Sequence, residues 1–162
     1  IPSYYFKRKE TEMAFIDSGV HIVKNGKLIT PTMKLHPDLY EIGWRTDLFY
    51  PEYKDKNIEF EFLQSNIEGE IVNFIQEAYN RKYDGIILNA GGYTHTSVAI
   101  YDAIKAVSIP TVEVHISNIH AREDFRKVCV TSPACIGQIT GLGKLGYILA
   151  VVYLIEYYKE RK

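Results

Sequence analysis

The sequence predicts an α/β fold in which helices cover both faces of a doubly wound parallel sheet. Two observations predict it. Short β-branched or apolar runs alternate with segments of helical periodicity over the last two thirds of the chain, which is typical of βαβ units. The run from Gly85 to Leu88 is apolar without alternation, as in a central strand buried on both faces. At 162 residues, we expect a single domain, 1–162.

The order of the elements predicts a sheet of the flavodoxin-like kind. A capping-box pattern, Ser65-Asn66-Ile67-Glu68, opens the first predicted helix, and Thr96 or Ser97 could cap the second. The predicted strands are 20–23, 58–63, 85–88, 111–116 and a short one near 128–130, and the predicted helices are 65–79, 98–107 and one from about 143 onward.

The first third of the chain has no comparable pattern. Residues 1–18 mix aromatic and charged side chains without a period, and we interpret them as an N-terminal extension of unclear role. Residues 27–57 contain Pro31, Pro37 and Pro51, which favours a loop. A connection of this length in one domain is often functional, so we expect a lid.

Composition argues against several classes of partner. The 19 Lys and Arg residues are scattered and balanced by 20 Asp and Glu residues, so we expect no nucleic-acid partner. No apolar run approaches the roughly 20 residues that span a bilayer, and the first residues lack a signal-peptide core, so we expect a cytoplasmic protein away from membranes. Cys129 and Cys135 suit neither a disulfide framework nor zinc, and we interpret them as small buried apolar residues.

Glu113 and His115 are the first candidate pair for chemistry. Side chains at i and i+2 of a strand point to the same face. A carboxylate beside an imidazole fixes the tautomer of the ring and favours its protonated form, which prepares the histidine to act as a general acid. The alternative is a solvated pair at a sheet edge.

Other polar residues follow the two central predicted strands. Asn89 and His95 come after the first of them, where Asn89 could also be a simple turn residue. Ser117 follows the second, where a hydroxyl and backbone amides could hold a carboxylate. Arg122 and Arg126 are four residues apart and would share one side of a helical turn, with salt bridges on a solvated face as the alternative.

The Gly141-Leu142-Gly143-x-x-Gly146 segment matches the dinucleotide fingerprint only superficially. No strand with a following acidic residue completes the pattern before the chain ends. We therefore interpret these glycines as a site of close packing or a tight turn.

Taken together, the motifs resemble those of the type II dehydroquinases, the small flavodoxin-like 3-dehydroquinate dehydratases of the shikimate pathway. The resemblance covers about 58–158. Its motifs are Phe62-Leu63-Gln64-Ser65-Asn66-Ile67-Glu68-Gly69-Glu70, Ile87-Leu88-Asn89-Ala90-Gly91-Gly92-Tyr93-Thr94-His95-Thr96-Ser97, Glu113-Val114-His115-Ile116-Ser117-Asn118 and His120-Ala121-Arg122-Glu123-Asp124-Phe125-Arg126, extended by Ser132-Pro133-Ala134 and Gly141 to Tyr147.

The resemblance implies a hydro-lyase of aromatic amino acid biosynthesis that uses no metal or cofactor and binds a small-molecule substrate. It also implies a homo-oligomer of trimers stacked into a dodecamer. His115 would be the general acid, oriented by Glu113. The remaining implied residues are Asn89, His95 and Arg126 for substrate hydroxyls, Ser117 and the Ile116 amide for the carboxylate, and Asp102, which would reach the site of a neighbouring subunit.

The catalytic base is assigned by laying the first third of the chain on the family's lid. Matching Asn25-Gly26 and the segment from Pro37 to Tyr40 nominates Tyr40, with Lys34 as a nearby cation for its phenolate. In this register Leu28 and Leu35 stand where the family has an asparagine and an arginine.

Two alternatives therefore stay open. Another tyrosine or Arg45 could fill the lid roles, or the chain could be an impaired or altered-function homologue that keeps the pocket and the oligomer.

Overall fold

The structure, a computed structural model, describes residues 6–8, 11–17, 21–24, 27–28 and 58–161. The lid expected over 27–57 lies almost entirely outside the described residues, as do Tyr40, Lys34 and Arg45.

An eight-stranded sheet forms the centre of the described part of the chain, in the order β4-β3-β5-β1-β2-β6-β7-β8. Its strands are β1 (Phe6–Arg8), β2 (Thr11–Asp17), β3 (His21–Lys24), β4 (Lys27–Leu28), β5 (Ile58–Gln64), β6 (Gly85–Asn89), β7 (Thr111–His115) and β8 (Gly137–Thr140).

The strands β2, β6, β7 and β8 are parallel neighbours, which confirms the predicted parallel sheet. Near the start of the chain, β1 and β2 have no counterpart among the predicted strands, whereas β3 confirms the strand predicted at 20–23 to within one residue. β1 pairs antiparallel with both β2 and β5, and β3 pairs antiparallel with β5 and β4. The segment interpreted as an extension thus contains β2, which pairs with β6 from Met13 to Asp17.

In the part of the chain that the structure describes, three α-helices cover the two faces of the sheet, as predicted. They are α1 (Glu68–Asn80), α2 (Val98–Val107) and α3 (Leu145–Lys159). On one face, α1 and α2 bury their apolar sides on Ile86 and Leu88 of β6. On the other face, α3 packs on Val112 and Val114 of β7 and on Ile87. No helix of the described part is long and apolar enough to cross a membrane.

Alternation along β6 and β7 decides which face each site residue occupies. All five residues of each strand are buried. Glu113 pairs in register with Leu88 and so belongs to the face covered by α1 and α2. His115 lies two residues further along the same face, just where β7 ends.

The helix starts differ from their predictions in detail. Ser97 caps α2 by accepting a hydrogen bond from the Ile100 amide at 2.9 Å. The capping box expected at 65–68 does not form, because α1 begins at Glu68 and its N-cap, Ile67, makes no side-chain hydrogen bond. Ser65 lies before the helix, where it donates to Glu70 and accepts from the Ile67 amide at 2.9 Å.

The prediction of a strand near 128–130 is wrong, and the last strand of the sheet is β8 instead. The backbone of the expected strand binds the loop after β6, where the Val130 amide donates to the Thr94 carbonyl at 2.7 Å. The sequence pattern did not predict β8, because its residues are exposed or half-buried and form no apolar run. Its pairing with β7 from Gly137 to Thr140 nevertheless completes the sheet.

The glycines of the 141–146 segment serve close packing and turns, as predicted. Gly141 and Gly143 have φ values of +85° and +58°, a region that favours glycine. A Cβ on Gly146 would lie 3.1 Å from Val114 Cγ1 and 3.3 Å from Ile139 Cγ2. The missing side chain lets α3 lie directly on β7 and β8.

Candidate active site

A cavity of about 370 Å³ opens at the carboxyl ends of β6 and β7. This edge of a parallel sheet is where open α/β folds bind ligands, and the volume is in the range for a small molecule. The cavity is lined by Asn89, Gly91, Gly92, His95, His115, Ile116, Ser117, Ile119, Arg122 and Arg126. Six of the nine residues predicted for the site therefore share one pocket.

Glu113 and His115 form a buried pair at the floor of this pocket. His115 Nε2 lies 3.1 Å from Glu113 Oε2, and the two side chains are 6% and 0% exposed. This distance allows an ion pair, although the orientation of the N–H group does not meet the geometry of a hydrogen bond. With Nε2 turned to the carboxylate, Nδ1 is the nitrogen free to face a bound molecule. The solvated-edge alternative is therefore wrong.

Three neutral side chains complete the surroundings of Glu113. Thr131 donates to Oε1, Ser132 donates to Oε2, and Gln138 Nε2 donates to Oε2 at 2.6 Å. Burial on its own would raise the pKa of Glu113, but the close contact with His115 and the hydrogen bonds from Ser132 and Thr131 outweigh burial and hold that pKa below its usual range. The carboxylate is therefore an anion at neutral pH.

His95 is the second histidine of the pocket, and its tautomer is set by the backbone. Its Nδ1 lies 2.7 Å from the Val128 carbonyl oxygen, which can only accept, so Nδ1 carries the proton. In the neutral ring the other nitrogen, Nε2, is an acceptor. The ring stacks on that of His115 with centroids 6.4 Å apart and meets Phe125 edge-on at 6.3 Å.

Asn89 ends β6 with its amide group fixed at both atoms. Its Nδ2 donates to the Tyr147 hydroxyl at 2.8 Å, and its Oδ1 accepts from the Gly91 amide at 3.1 Å. The residue is 2% exposed. The hydrogen bond to Gly91 is typical of a turn residue. Asn89 is therefore a turn residue, as the alternative interpretation held, and it also lines the pocket.

The loop after β7 carries the rest of the predicted residues. The Gly141 amide donates to the His115 carbonyl at 3.2 Å and the Gly143 amide donates to the Ile116 carbonyl at 3.0 Å, which holds the loop against the glycine turn. Ser117 follows directly, and its hydroxyl accepts from Arg122 Nη1 at 3.3 Å.

Arg122 and Arg126 face the pocket together. Both guanidinium groups contact Glu123 through Nε, at 3.4 Å and 2.7 Å. Hydrogen bonding and the neighbouring Arg126 charge hold the pKa of Glu123 below its usual range. Both arginines therefore line the pocket and also form the expected salt bridges.

The remaining predicted residues lie elsewhere. Asp102 is on the exposed side of α2 and is not among the residues that line the pocket. Glu113 lies behind His115 rather than on the pocket wall. Tyr40 lies outside the described residues.

Thr131, Ser132 and Gln138 are residues that sequence reasoning did not assign to the site. A buried carboxylate needs hydrogen-bond donors, so the sequence indicated that Glu113 has such partners. It did not indicate which residues they are. They come from a segment 18 to 25 residues further along the chain. Cys129 and Cys135 of the same segment are free and half-buried, so the expected full burial is wrong.

A larger cavity, of about 560 Å³, lies at the opposite edge of the sheet between the turns that precede β6 and β7. It contains Lys82 and Asp84, and no histidine or arginine among the described residues lines it. Size therefore does not identify the site here, and the two histidines and two arginines of the smaller cavity do. The described residues contain no cluster of His, Cys, Asp or Glu that could hold a metal ion.

Comparison with known proteins agrees with this geometry. The chain is 95% identical over 111 residues to a protein of Fusobacterium nucleatum named 3-dehydroquinate dehydratase, covering 68% of this chain and 76% of that protein. It is 65% identical over 136 residues to a protein of the same name from Clostridium acetobutylicum, covering 82% and 94%. The crystal structure of a type II dehydroquinase from Butyrivibrio crossotus matches with a TM-score of 0.61 and 50% identity, over 69% of this chain and 78% of that one.

The family model for class II dehydroquinases matches residues 45–155, which is well over half of the chain. This match contains β5 to β8, helices α1 and α2, most of α3 and every residue that lines the pocket. Tyr40 precedes it. The chain therefore belongs to the class II dehydroquinase family.

Proposed function

We propose that this chain is a 3-dehydroquinate dehydratase that removes water from 3-dehydroquinate to give 3-dehydroshikimate, a step of the shikimate pathway. The hydro-lyase activity follows from its family. The observation that supports the mechanism best is the buried Glu113 and His115 pair at the floor of a pocket lined by hydrogen-bonding groups and two arginines.

The pocket suits a small polyhydroxylated acid. We assign the substrate carboxylate to the Ser117 hydroxyl and the Ile116 amide, close to the positive charges of Arg122 and Arg126. The substrate hydroxyls are assigned to Asn89, His95 and Arg126, which line the same pocket. Because His95 Nε2 is an acceptor, it receives a hydrogen bond from a hydroxyl.

Proton removal comes first in the proposed mechanism. The phenolate of Tyr40, the assigned base, takes a proton from the carbon next to the ketone, and the electron pair of the broken C–H bond forms an enolate. A phenol with an ordinary pKa near 10 needs a nearby cation to do this at neutral pH, and we assign that role to Lys34.

Loss of the hydroxyl completes the elimination. The enolate electrons re-form the ketone, the new C=C bond forms, and the C–O bond breaks as His115 gives its proton to the departing oxygen, which leaves as water. Glu113 orients His115 and balances its positive charge before the transfer.

We also propose that the chain assembles as trimers stacked into a dodecamer in the cytoplasm. Asp102 lies on an exposed helix face outside its own pocket, which supports a role in a neighbouring subunit's site. Large apolar side chains such as Val98, Leu142 and Leu145 are 50% or more exposed, as at a surface that another subunit covers. The two cysteines are free, which is usual in a reducing compartment.

The test is turnover of 3-dehydroquinate, followed by the rise in absorbance of the conjugated product. We expect turnover by the wild-type chain and at least about a hundredfold loss of kcat in Tyr40→Phe, because general base catalysis is removed. Tyr79→Phe, which changes an exposed tyrosine of α1, is the matched control and keeps wild-type kcat.

Full activity in Tyr40→Phe would overturn the assignment of the base and leave the dehydratase function in place. A folded wild-type chain that binds 3-dehydroquinate without converting it would contradict the dehydratase function and support the impaired homologue.

A further inference from the structure

We propose that Thr131, Ser132 and Gln138 are positioning residues for the elimination, and that they hold the Glu113 carboxylate ionised in the one orientation that meets His115. We name these three residues the carboxylate cradle. The inference rests on the proposed function, in which Glu113 orients the general acid.

The carboxylate cradle gives Glu113 three hydrogen bonds, which reach both of its oxygens. An ionised carboxylate has about four acceptor positions. Thr131 fills one on Oε1, Ser132 and Gln138 fill two on Oε2, and His115 Nε2 lies 3.1 Å from the same Oε2. Because the three donors reach both oxygens, the carboxylate cannot rotate away from His115 without losing hydrogen bonds.

Gln138 and Ser132 also fix each other. Gln138 Nε2 is 2.6 Å from Glu113 Oε2 and 2.8 Å from Ser132 Oγ, so its two N–H groups reach both atoms. The Ser132 hydroxyl, which accepts from Gln138, can then give its own proton to Oε2. The three groups form a closed triangle in which the direction of each hydrogen bond is determined.

The donors of the carboxylate cradle carry no charge, and this has a chemical consequence. A lysine or arginine at the same place would pair with Glu113 and compete with His115 for its negative charge. Neutral donors stabilise the anion against burial and leave the imidazolium as its counter-charge. The pKa of Glu113 is held low although the side chain is fully buried.

The titratable groups around Glu113 are few in the described part of the chain. His115 lies on the same strand, and the ring of His95 stacks on His115. Burial, and then the Glu113 charge, raises the pKa of the Cys135 thiol, which therefore stays neutral. Cys129 Sγ lies 3.5 Å from Gln138 Nε2. Helix α2, which covers this face, buries only apolar side chains and Ser97 at its start.

None of the three residues lines the pocket, so their effect must pass through Glu113 and His115. A residue of this kind changes kcat and its pH dependence more than it changes KM. A merely structural residue would lower stability and leave the pH profile of the folded enzyme unchanged. This difference makes the inference testable.

The experiment measures kcat and KM from pH 4 to pH 9 for variants of the two part-exposed positions. Gln138→Met keeps the length of the side chain and removes its donors, and Gln138→Glu places a second carboxyl group beside Glu113. Ser132→Ala removes the hydroxyl and Ser132→Thr restores it. Gln76→Met and Gln76→Glu, at an exposed position of α1, are the matched controls.

We expect the acid limb of the kcat profile to move up by about one pH unit in Gln138→Met and Ser132→Ala, and further in Gln138→Glu, where two like charges meet. KM should stay within about twofold of wild type. Ser132→Thr and both Gln76 variants should keep the wild-type profile. Wild-type profiles in Gln138→Met, Gln138→Glu and Ser132→Ala would overturn the inference.

A second readout separates this inference from the dehydratase function. The carboxyl carbon of Glu113 is followed by NMR in protein labelled with ¹³C-glutamate and is assigned from Glu113→Gln. Its titration midpoint should rise by about one pH unit in Gln138→Met, whether or not the preparation turns over. An unchanged midpoint would contradict the carboxylate cradle even if the wild-type chain is an active dehydratase.

Discussion

Glu113 Oε2 and His115 Nε2 lie 3.1 Å apart on one side of β7, and both side chains are almost completely buried. The strand period brings them to the same face, and the end of β7 places only His115 at the pocket wall. A carboxylate beside an imidazole in this position suits proton transfer, because His115 is the one titratable side chain that the structure describes at contact distance from the buried Glu113.

Replacing Glu113 by glutamine tests the contribution of its charge. We expect kcat of Glu113→Gln to fall at least about tenfold at neutral pH, because the amide no longer balances the His115 imidazolium or fixes its orientation. KM should change by less than about threefold, since Glu113 does not line the pocket. Steady-state kinetics measure both, with Glu77→Gln on the exposed side of α1 as the control. A larger change in KM than in kcat would contradict the assigned role.

The same residue predicts how stability depends on pH. The pKa of Glu113 is lower in the folded chain than its ordinary value of about 4.5. Its contribution to the free energy of unfolding is therefore fully present above the unfolded pKa and is lost as pH falls through the folded pKa. We expect the stability difference between wild type and Glu113→Gln to narrow as pH is lowered from 6 towards 3.

Urea denaturation at several pH values measures this difference. Glu77→Gln should show no comparable narrowing, because its carboxylate is exposed. A difference that stays constant over this range, or widens in acid, would show that Glu113 is not a buried anion in the folded chain.

Gly146 sets how closely α3 approaches β7. In Gly146→Ala the new methyl group would press on Val114 Cγ1 at 3.1 Å and Ile139 Cγ2 at 3.3 Å. We expect a loss of about 1–3 kcal/mol in the free energy of unfolding, the usual cost of overpacking. Gly69→Ala in α1 meets no atom within 4 Å and should be neutral or slightly stabilising. Equal effects of the two substitutions in thermal or urea unfolding would refute this packing argument.

Asp102 allows a test of the subunit arrangement. If it serves a neighbouring site, Asp102→Ala and His115→Ala should each be nearly inactive alone and regain activity when they are unfolded and refolded together. Some sites in the mixed oligomer then combine an intact His115 with an intact Asp102 from the next subunit, about one quarter for random mixing. No recovery in mixtures that light scattering shows to be co-assembled would contradict the assignment.

Much of the central fold was predictable from the sequence because the hydrophobic pattern there agrees with the structure. Helix α2 matches its predicted bounds, and β6 and β7 extend to within one residue of theirs. The pattern failed for β8, whose residues Gly137 and Gln138 are exposed. It also failed for β1 and β2, whose pairing joins segments far apart in the chain.

The site residues also fall into those that the sequence predicted and those that it did not. His115, Asn89, His95, Ser117 and Arg126 follow strand ends and could be chosen from the sequence, because parallel strands end at one edge of the sheet. The carboxylate cradle could not be predicted from the sequence. Its donors reach Glu113 only because the segment 131–138 folds back against β7 in the tertiary structure. Short polar side chains in an irregular segment carry no pattern that would identify such partners.

The kcat of His115→Ala on 3-dehydroquinate, measured beside His120→Ala, tests the central claim most directly. His120 is an exposed histidine of the same loop region and does not line the pocket. We predict that His115→Ala loses at least about a hundredfold in kcat while calorimetry shows that it still binds 3-dehydroquinate, and that His120→Ala keeps wild-type turnover. A folded His115→Ala chain with kcat within about threefold of wild type would contradict the role of His115 as the general acid.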